Sequence, residues 1–170
     1  MANQQQLDQC YMEVARAHAK LSKGVRGKIG ACLVTKHGSI LGGCNGLAPN
    51  GSNVLETKKY MEVGAGAWLD PDWVLEQYPF EDVDGRYQLV TKPETIHAEL
   101  SCILRAAKEG VSILGSTLYV TQSCCPVCSE MVVAAGVTRV VYEQEYRITS
   151  GIQNLSEHGV IVEKFNGSGA

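Results

Sequence analysis

The chain lacks any apolar run approaching the roughly 18 residues that a membrane-spanning helix needs, so it is not expected to cross a bilayer. Its first residues, Met1-Ala2-Asn3-Gln4-Gln5-Gln6, lack the basic start and apolar core of a secretion signal, and a cytoplasmic protein is expected. An excess of positive charge is also missing: 15 Lys and Arg stand against 18 Asp and Glu, a formal net charge of −3. Proteins that grip a nucleic-acid backbone usually show a basic face, so nucleic acid is disfavoured as a partner. A small anionic ligand needs only two or three well-placed donors, which this balance allows. Neither an internal repeat nor a domain boundary is visible.

What is present is a chain of 170 residues, 45% hydrophobic and 19% charged, long enough for one domain with a substantial core. Residues 1–165 read as that domain, with 54–92 as an insertion and 166–170 as a tail of flexible composition. Seven cysteines occur at uneven spacing. Without an export signal a disulfide framework is not expected. Cys10, Cys32, Cys44 and Cys102 lie in apolar surroundings and read as small packing residues.

Hydrophobic spacings of three and four predict a helix over 4–22, with Gly24 marking its end. His18 near its end reads as a surface or capping residue. Strands are predicted at 29–35 and 39–44, joined at His37-Gly38 as a hairpin, with His37 solvated. The stretch 45–53, Asn45-Gly46-Leu47-Ala48-Pro49-Asn50-Gly51-Ser52-Asn53, reads either as a long turn or as a loop that approaches a sugar or phosphate. Within 54–92, Asp70 and Pro71 look like the N-cap and first position of a short helix. Tyr87–Val90 looks like a short strand. Trp68, Trp73, Tyr78, Phe80 and Tyr87 suggest packing on the domain or on a neighbouring subunit, and the acids between them a solvated face.

From Pro93 onward the pattern sharpens. Thr95 reads as the N-cap of a helix over 96–109 that Gly110 stops. A strand follows at 117–121, then a helix over 127–135 opened by Ser123-Cys124-Cys125-Pro126 and closed by Gly136. Strand 138–142, helix 152–157 with His158 at its surface end, and strand 160–163 complete the chain. This alternation argues for an α/β sheet with helices on its faces.

Two short motifs carry the chemistry. His97-Ala98-Glu99 lies at one predicted helix start, and Cys125-Pro126-Val127-Cys128 at the next. A catalytic zinc takes three protein ligands and keeps a fourth position for water. His97 offers a nitrogen, and Cys125 and Cys128 offer two sulfurs one turn apart on the same side of a helix. Helix N-termini favour thiolates there. Glu99, near enough to line the site without binding the metal, suits a proton shuttle. Other readings stay open: a redox Cys-x-x-Cys pair, or a structural zinc closed by Cys124.

His-x-Glu followed by Pro-Cys-x-x-Cys is the signature of zinc-dependent base deaminases, with Cys124 here in place of the proline. The chain resembles the cytidine and deoxycytidylate deaminase superfamily, and within it the deoxycytidylate (dCMP) deaminases, phage forms included. The resemblance rests on His97-Ala98-Glu99-Leu100, the strand Ile29-Gly30-Ala31-Cys32-Leu33-Val34, and the loop Gly43-Cys44-Asn45-Gly46. It also rests on Thr117–Thr121 and Ala135–Tyr142 around the cysteines.

The resemblance implies an α/β fold: a three-layer α-β-α domain around a mixed five-stranded sheet. It implies zinc held by His97, Cys125 and Cys128, with Glu99 catalytic. It places the backbone at Ala98 and Ser123 on the pyrimidine edge, Asn45 and Gly46 at the sugar, and Lys28 and Arg26 at a phosphate. It implies hydrolysis of dCMP to dUMP and ammonia, dCTP and dTTP as effectors with Mg2+ accompanying a triphosphate, and a homohexamer. For a phage protein the location would be the host cytoplasm. The competing readings are a deaminase of dCTP, of a free nucleoside or of another aminated base, a nucleic-acid deaminase, and a non-catalytic zinc module.

Overall fold

In the computed structural model, residues 2–49, 52–62 and 69–167 are described. Asn50, Gly51, Trp68 and residues 168–170 of the tail lie outside them.

The chain starts with helix α1 (Gln4–Ala19). Asn3 caps it and Gln6 reaches back to the Asn3 backbone, a reciprocal pair that satisfies two donors of the first turn. The helix ends at Ala19 with Lys20 as its cap, short of the predicted Gly24. Strands β1 (Gly30–Val34) and β2 (Ile40–Cys44) form the expected antiparallel hairpin. Helix α3 (Ala98–Glu109), strand β6 (Thr117–Gln122), helix α4 (Pro126–Ala134), strand β7 (Arg139–Gln144), helix α5 (Ser150–Glu157) and strand β8 (Ile161–Lys164) follow the predicted order. The main sheet runs β2-β1-β6-β7-β8. Its first two pairings are antiparallel and its last two parallel, so it is the mixed five-stranded sheet that was expected.

One face of this sheet is covered by α1, through Met12 and Ala15 against Cys32, Tyr119 and Val141. The opposite face carries the larger core, where Leu33, Leu118, Val120 and Val140 meet Cys102, Ala106, Val132 and Leu155 of α3, α4 and α5. Burial of β1 and β6 on both faces explains their near-continuous apolar sequences. Asp8, Tyr119, Arg139 and Glu163 tie α1 to the sheet. Arg139 donates to both Asp8 oxygens at 2.8 and 2.7 Å, and Tyr119 Oη donates to Asp8 at 2.7 Å.

Residues 54–92 hold more structure than was predicted. β3 (Glu56–Tyr60), helix α2 (Pro71–Gln77), β4 (Phe80–Asp82) and β5 (Gly85–Thr91) make a small antiparallel sheet ordered β3-β5-β4 with one short helix. Asp70 caps α2 as expected, its side chain accepting from the backbone N–H groups of Asp72 and Trp73. Asp70, Asp72, Glu76, Glu81 and Asp84 are exposed, as a solvated face requires, while Asp82 is half-buried and engages Lys58 and Tyr60; Glu81 pairs with Arg86 at the surface. Phe80 and Tyr60 both pack on Tyr87, with ring centres 5.5 Å apart in each pair.

Three packing expectations are corrected. Cys10 is exposed, while Cys32 and Cys102 are buried and Cys44 is half-buried. His18 is half-buried, not at the surface, because β2 carries glycine where the ring passes: a Cβ on Gly42 would stand 1.9 Å from His18 Nε2. Thr95 does not cap α3. Its hydroxyl points to the Leu55 carbonyl at 3.4 Å, and His97 is the N-cap. His37 and His158 are exposed as expected.

Candidate active site

Two helix starts and the end of one strand converge at the site. At Gly43, α3 comes so near β2 that a Cβ would stand 2.8 Å from the Ala98 carbonyl oxygen. A glycine there lets the first turn of α3 sit directly on the sheet. Ile96, one residue before His97, exchanges two backbone hydrogen bonds with Gly46 at 3.0 and 2.8 Å. His97 takes an extended N-cap conformation with no capping bond from its side chain, which leaves the ring for the site.

The second helix start follows directly from β6. Cys125 is the N-cap of α4, its sulfur accepting from the Cys128 N–H at 3.4 Å, and Pro126 occupies the first turn, where its missing N–H costs nothing. The His97 Nδ1 lies 3.6 Å from Cys125 Sγ and 3.3 Å from Cys128 Sγ. All three donor atoms are within 4.8 Å of one another, and among the described residues they are the one group of this kind. Metal–ligand lengths of about 2.0–2.1 Å for nitrogen and 2.3 Å for sulfur put donors on a tetrahedral ion roughly 3.6 Å apart. One nitrogen and two sulfurs at these separations therefore fit zinc with a position to spare. The Cys125 thiol is pulled down by the hydrogen bond from Cys128 and by His97, and Cys128 is pushed up correspondingly as the pair shares one proton. His97 is raised by its bond to Cys125.

Glu99, in the first turn of α3, is only 4% exposed. Burial raises its carboxyl above the usual range, against the pull of its own backbone N–H, of His97 and of a hydrogen bond from the Cys124 thiol. Cys124 is fully buried and stands outside the three-donor group.

A cavity of about 440 Å³ opens over these groups. His97, Ala98, Glu99, Ser123 and Cys125 form its floor side, with Asn45 and Arg26 on the wall. The Asn45 carboxamide is committed to shaping that wall, since Oδ1 accepts from Ile29 N at 2.9 Å and Nδ2 donates to Gly27 O at 3.0 Å. The Ser123 N–H is spent on the Gln144 carbonyl at 2.8 Å, so the carbonyl rather than the amide is the group left for a ligand. Gly46 does not line the cavity: its backbone is paired with Ile96. Lys28 does not line it either. Strand β1 begins next to it and turns it to a smaller pocket beside Arg16 and Glu143.

Several lining residues escaped the sequence reading, and four of them carry polar groups from segments it did not assign to the site. Glu56 and Thr91 come from the small sheet, Tyr146 and Arg147 from the segment after β7. Glu56 accepts from the backbone N–H groups of Val25 and Arg26 at 2.8 and 3.1 Å, and Arg26 Nη1 donates to Thr91 Oγ1 at 3.2 Å. Among the described residues neither the Arg26 nor the Arg147 guanidinium forms an ion pair. The Tyr146-Arg147 pair is a signal that a longer motif search could have caught, whereas Glu56 sits in a stretch with no recognisable pattern.

Residues 5–144 match the model of the cytidine and deoxycytidylate deaminase zinc-binding region. The chain belongs to the cytidine and deoxycytidylate deaminase family. Among deaminases of this family, the deoxycytidylate deaminase of Mycobacterium phage D29 is 32% identical over 139 residues, 81% of this chain and 94% of that protein. The deoxycytidylate deaminase of Enterobacteria phage T2 is 49% identical over 51 residues, which is 30% of this chain and only 27% of the T2 protein. The chain thus matches about a quarter of that relative's length. A solved structure of dCMP deaminase from cyanophage S-TIM5, in complex with dCMP and dUMP, superposes with a TM-score of 0.72 at 34% identity. That match covers 96% of this chain and 99% of the other. No helix among the described residues is long and apolar enough to cross a membrane.

Proposed function

We propose that this protein is a zinc-dependent hydrolase that converts dCMP and water to dUMP and ammonia. The observation that carries the reading is a three-donor metal group and a buried carboxylate beside one cavity, whose lining includes two arginines with no side-chain ion pair among the described residues. The phage and cyanophage relatives with that activity in their names support it.

In this reading His97, Cys125 and Cys128 hold the zinc. Bound there, zinc would supply the Lewis acidity that activates a water molecule near neutral pH. Glu99 would take a proton from the water as its oxygen bonds to the amino-bearing ring carbon, pass that proton to the ring nitrogen, and carry the remaining hydroxyl proton to the amino group as the C–N bond breaks and ammonia leaves. Burial suits Glu99 to this exchange, because a raised carboxyl gives and takes a proton nearer neutral pH. Helix geometry leaves the first-turn N–H of Ala98 without an intrahelical partner, and it donates to the pyrimidine carbonyl. The Ser123 carbonyl accepts from the amino group. Asn45 retains one amide hydrogen and a lone pair for the sugar.

Arg26 and Arg147 bind the 5′-phosphate. A cavity of this size takes a nucleotide, and two guanidinium groups with no ion pair among the described residues favour a phosphorylated substrate over a free nucleoside. The location is cytoplasmic. A homohexamer with dCTP and dTTP as effectors, and Mg2+ accompanying the triphosphate, belongs to the same reading and rests on family resemblance alone. Titration of the purified protein with each triphosphate, read as activity and mass in solution, tests that part. The central assignment is tested by Glu99→Gln, which is expected to keep its zinc and lose dCMP turnover. Normal turnover in that variant would remove Glu99 from the mechanism.

A further inference from the structure

The link between α1 and β1 carries Arg26. Among the described residues, no backbone group of residues 23–28 bonds to another backbone group. Side chains hold the link instead. The Gly24 N–H donates to Ser22 Oγ at 3.1 Å, and the Gly27 carbonyl accepts from Asn45 Nδ2 at 3.0 Å. Between them, the N–H groups of Val25 and Arg26 both donate to one oxygen of Glu56, at 2.8 and 3.1 Å. The link is folded so tightly that a Cβ on Gly24 would stand 2.4 Å from the Gly27 carbonyl oxygen.

Glu56 opens β3 and is only 7% exposed. Its partner across the small sheet is Thr91 of β5. The Thr91 hydroxyl accepts from Arg26 Nη1 at 3.2 Å. One rung of the small sheet therefore holds Arg26 twice, by its backbone and by its guanidinium. Both residues of the rung line the cavity. An acid repels an anionic ligand, so a carboxylate at this wall needs a reason. Two successive N–H groups that point at one place favour an anion, and Glu56 is that anion.

We infer that the Glu56–Thr91 rung positions Arg26: Glu56 fixes the bend of the link, and Thr91 aims the guanidinium at the cavity. An arginine side chain loses much rotamer freedom when it binds a ligand, and one already held in place loses less. The small sheet supplies neither arginine of the wall, yet it sets where one of them stands. The inference rests on the phosphate role proposed for Arg26 above.

The test is steady-state kinetics on dCMP, with zinc per chain measured on each protein. The variants are Glu56→Ala, Glu56→Gln, Thr91→Val and Arg26→Ala, and the first and third are also combined with Arg26→Ala. Glu56→Ala is expected to raise KM on the order of 10-fold and Thr91→Val by a smaller factor, with kcat and zinc little changed. Glu56→Gln keeps an oxygen that can accept both N–H bonds, and its KM stays close to the parent's. Residues that act through Arg26 lose their effect when Arg26 is absent, so neither Glu56→Ala nor Thr91→Val raises KM further in the Arg26→Ala background.

Parent-like KM in Glu56→Ala overturns the inference. So does a rise of the same factor when Glu56→Ala is added to Arg26→Ala, which would put Glu56 itself on the ligand. A Glu56→Gln as impaired as Glu56→Ala overturns it too, because the charge and not the anchor would then matter. Should Glu56→Ala fail to fold, Thr91→Val, which loses only a hydroxyl, decides by the same comparison with and without Arg26. Parent-like KM in Arg26→Ala instead removes the phosphate role proposed for Arg26. An impaired Arg26→Ala beside parent-like Glu56→Ala and Thr91→Val overturns the positioning role alone.

Discussion

The Ser123 hydroxyl accepts a hydrogen bond from the Tyr146 backbone N–H at 2.8 Å. It ties the end of β6, just before Cys125 and Cys128, to the segment that carries Arg147. The floor and the cationic wall of the cavity are therefore one connected piece. Ser123→Ala is expected to raise KM for dCMP with zinc content unchanged, measured by steady-state kinetics and metal analysis. An unchanged KM would mean that the tether does not place the wall.

The two arginines give a sharper expectation. A hydrogen bond to a charged group contributes about 1.5–3 kcal/mol, or roughly 10- to 150-fold. Arg26→Ala and Arg147→Ala should each lower kcat/KM for dCMP by about that factor and have little effect on deoxycytidine, which has no phosphate. Equal losses on both substrates would place the arginines elsewhere than on the phosphate.

Gly151 tests the packing behind the site. A Cβ there would stand 2.1 Å from the Cys124 carbonyl oxygen and 3.0 Å from the Cys125 carbonyl carbon. Backbone cannot swing aside as a side chain can, so α5 or the loop must move. Gly151→Ala should cost about 1–3 kcal/mol of stability, as overpacking does, and weaken zinc retention against a chelator. Denaturant unfolding and zinc release measure the two effects.

Asp8 gives a pH signature. Burial opposes its ionisation, yet the bonds from Arg139, Tyr119 and Gln4 win and hold the carboxyl below its ordinary value. A depressed folded-state value contributes stability that is present above the unfolded value and lost as pH falls through the folded one. Asp8→Asn should therefore destabilise by about 1–3 kcal/mol near neutral pH. Its deficit against the parent should shrink once the pH drops below about 4. A deficit independent of pH would show that shape rather than charge matters at this position.

Much of the fold could be read before the structure, because β1, β6 and β7 are buried runs and Gly110 and Gly136 stop their helices with positive φ. The His97, Glu99, Cys125 and Cys128 spacing placed four groups that the fold brings together. What escaped has physical reasons. Strand β3, Glu56-Thr57-Lys58-Lys59-Tyr60, buries only its first residue, so it carries no alternating apolar face to read. The hairpin of β4 and β5 turns on Val83-Asp84, a pair outside the usual Asn-Gly and Asp-Gly loops, so its sequence does not announce the turn. Thr95 looked like a cap because Thr is a good one, but the chain stays extended through His97 while Ile96 pairs with Gly46. Lys28 and Arg26 are two residues apart in a link that bends at Val25-Arg26, and only tertiary placement shows that Arg26 alone reaches the cavity.

The most direct measurement is ammonia release from dCMP, dCTP, CMP and deoxycytidine, with zinc quantified on the same sample. The account predicts zinc bound in proportion to chain, turnover fastest on dCMP, and loss of activity on chelation that added zinc restores. Full zinc occupancy with no turnover of any of the four would contradict it.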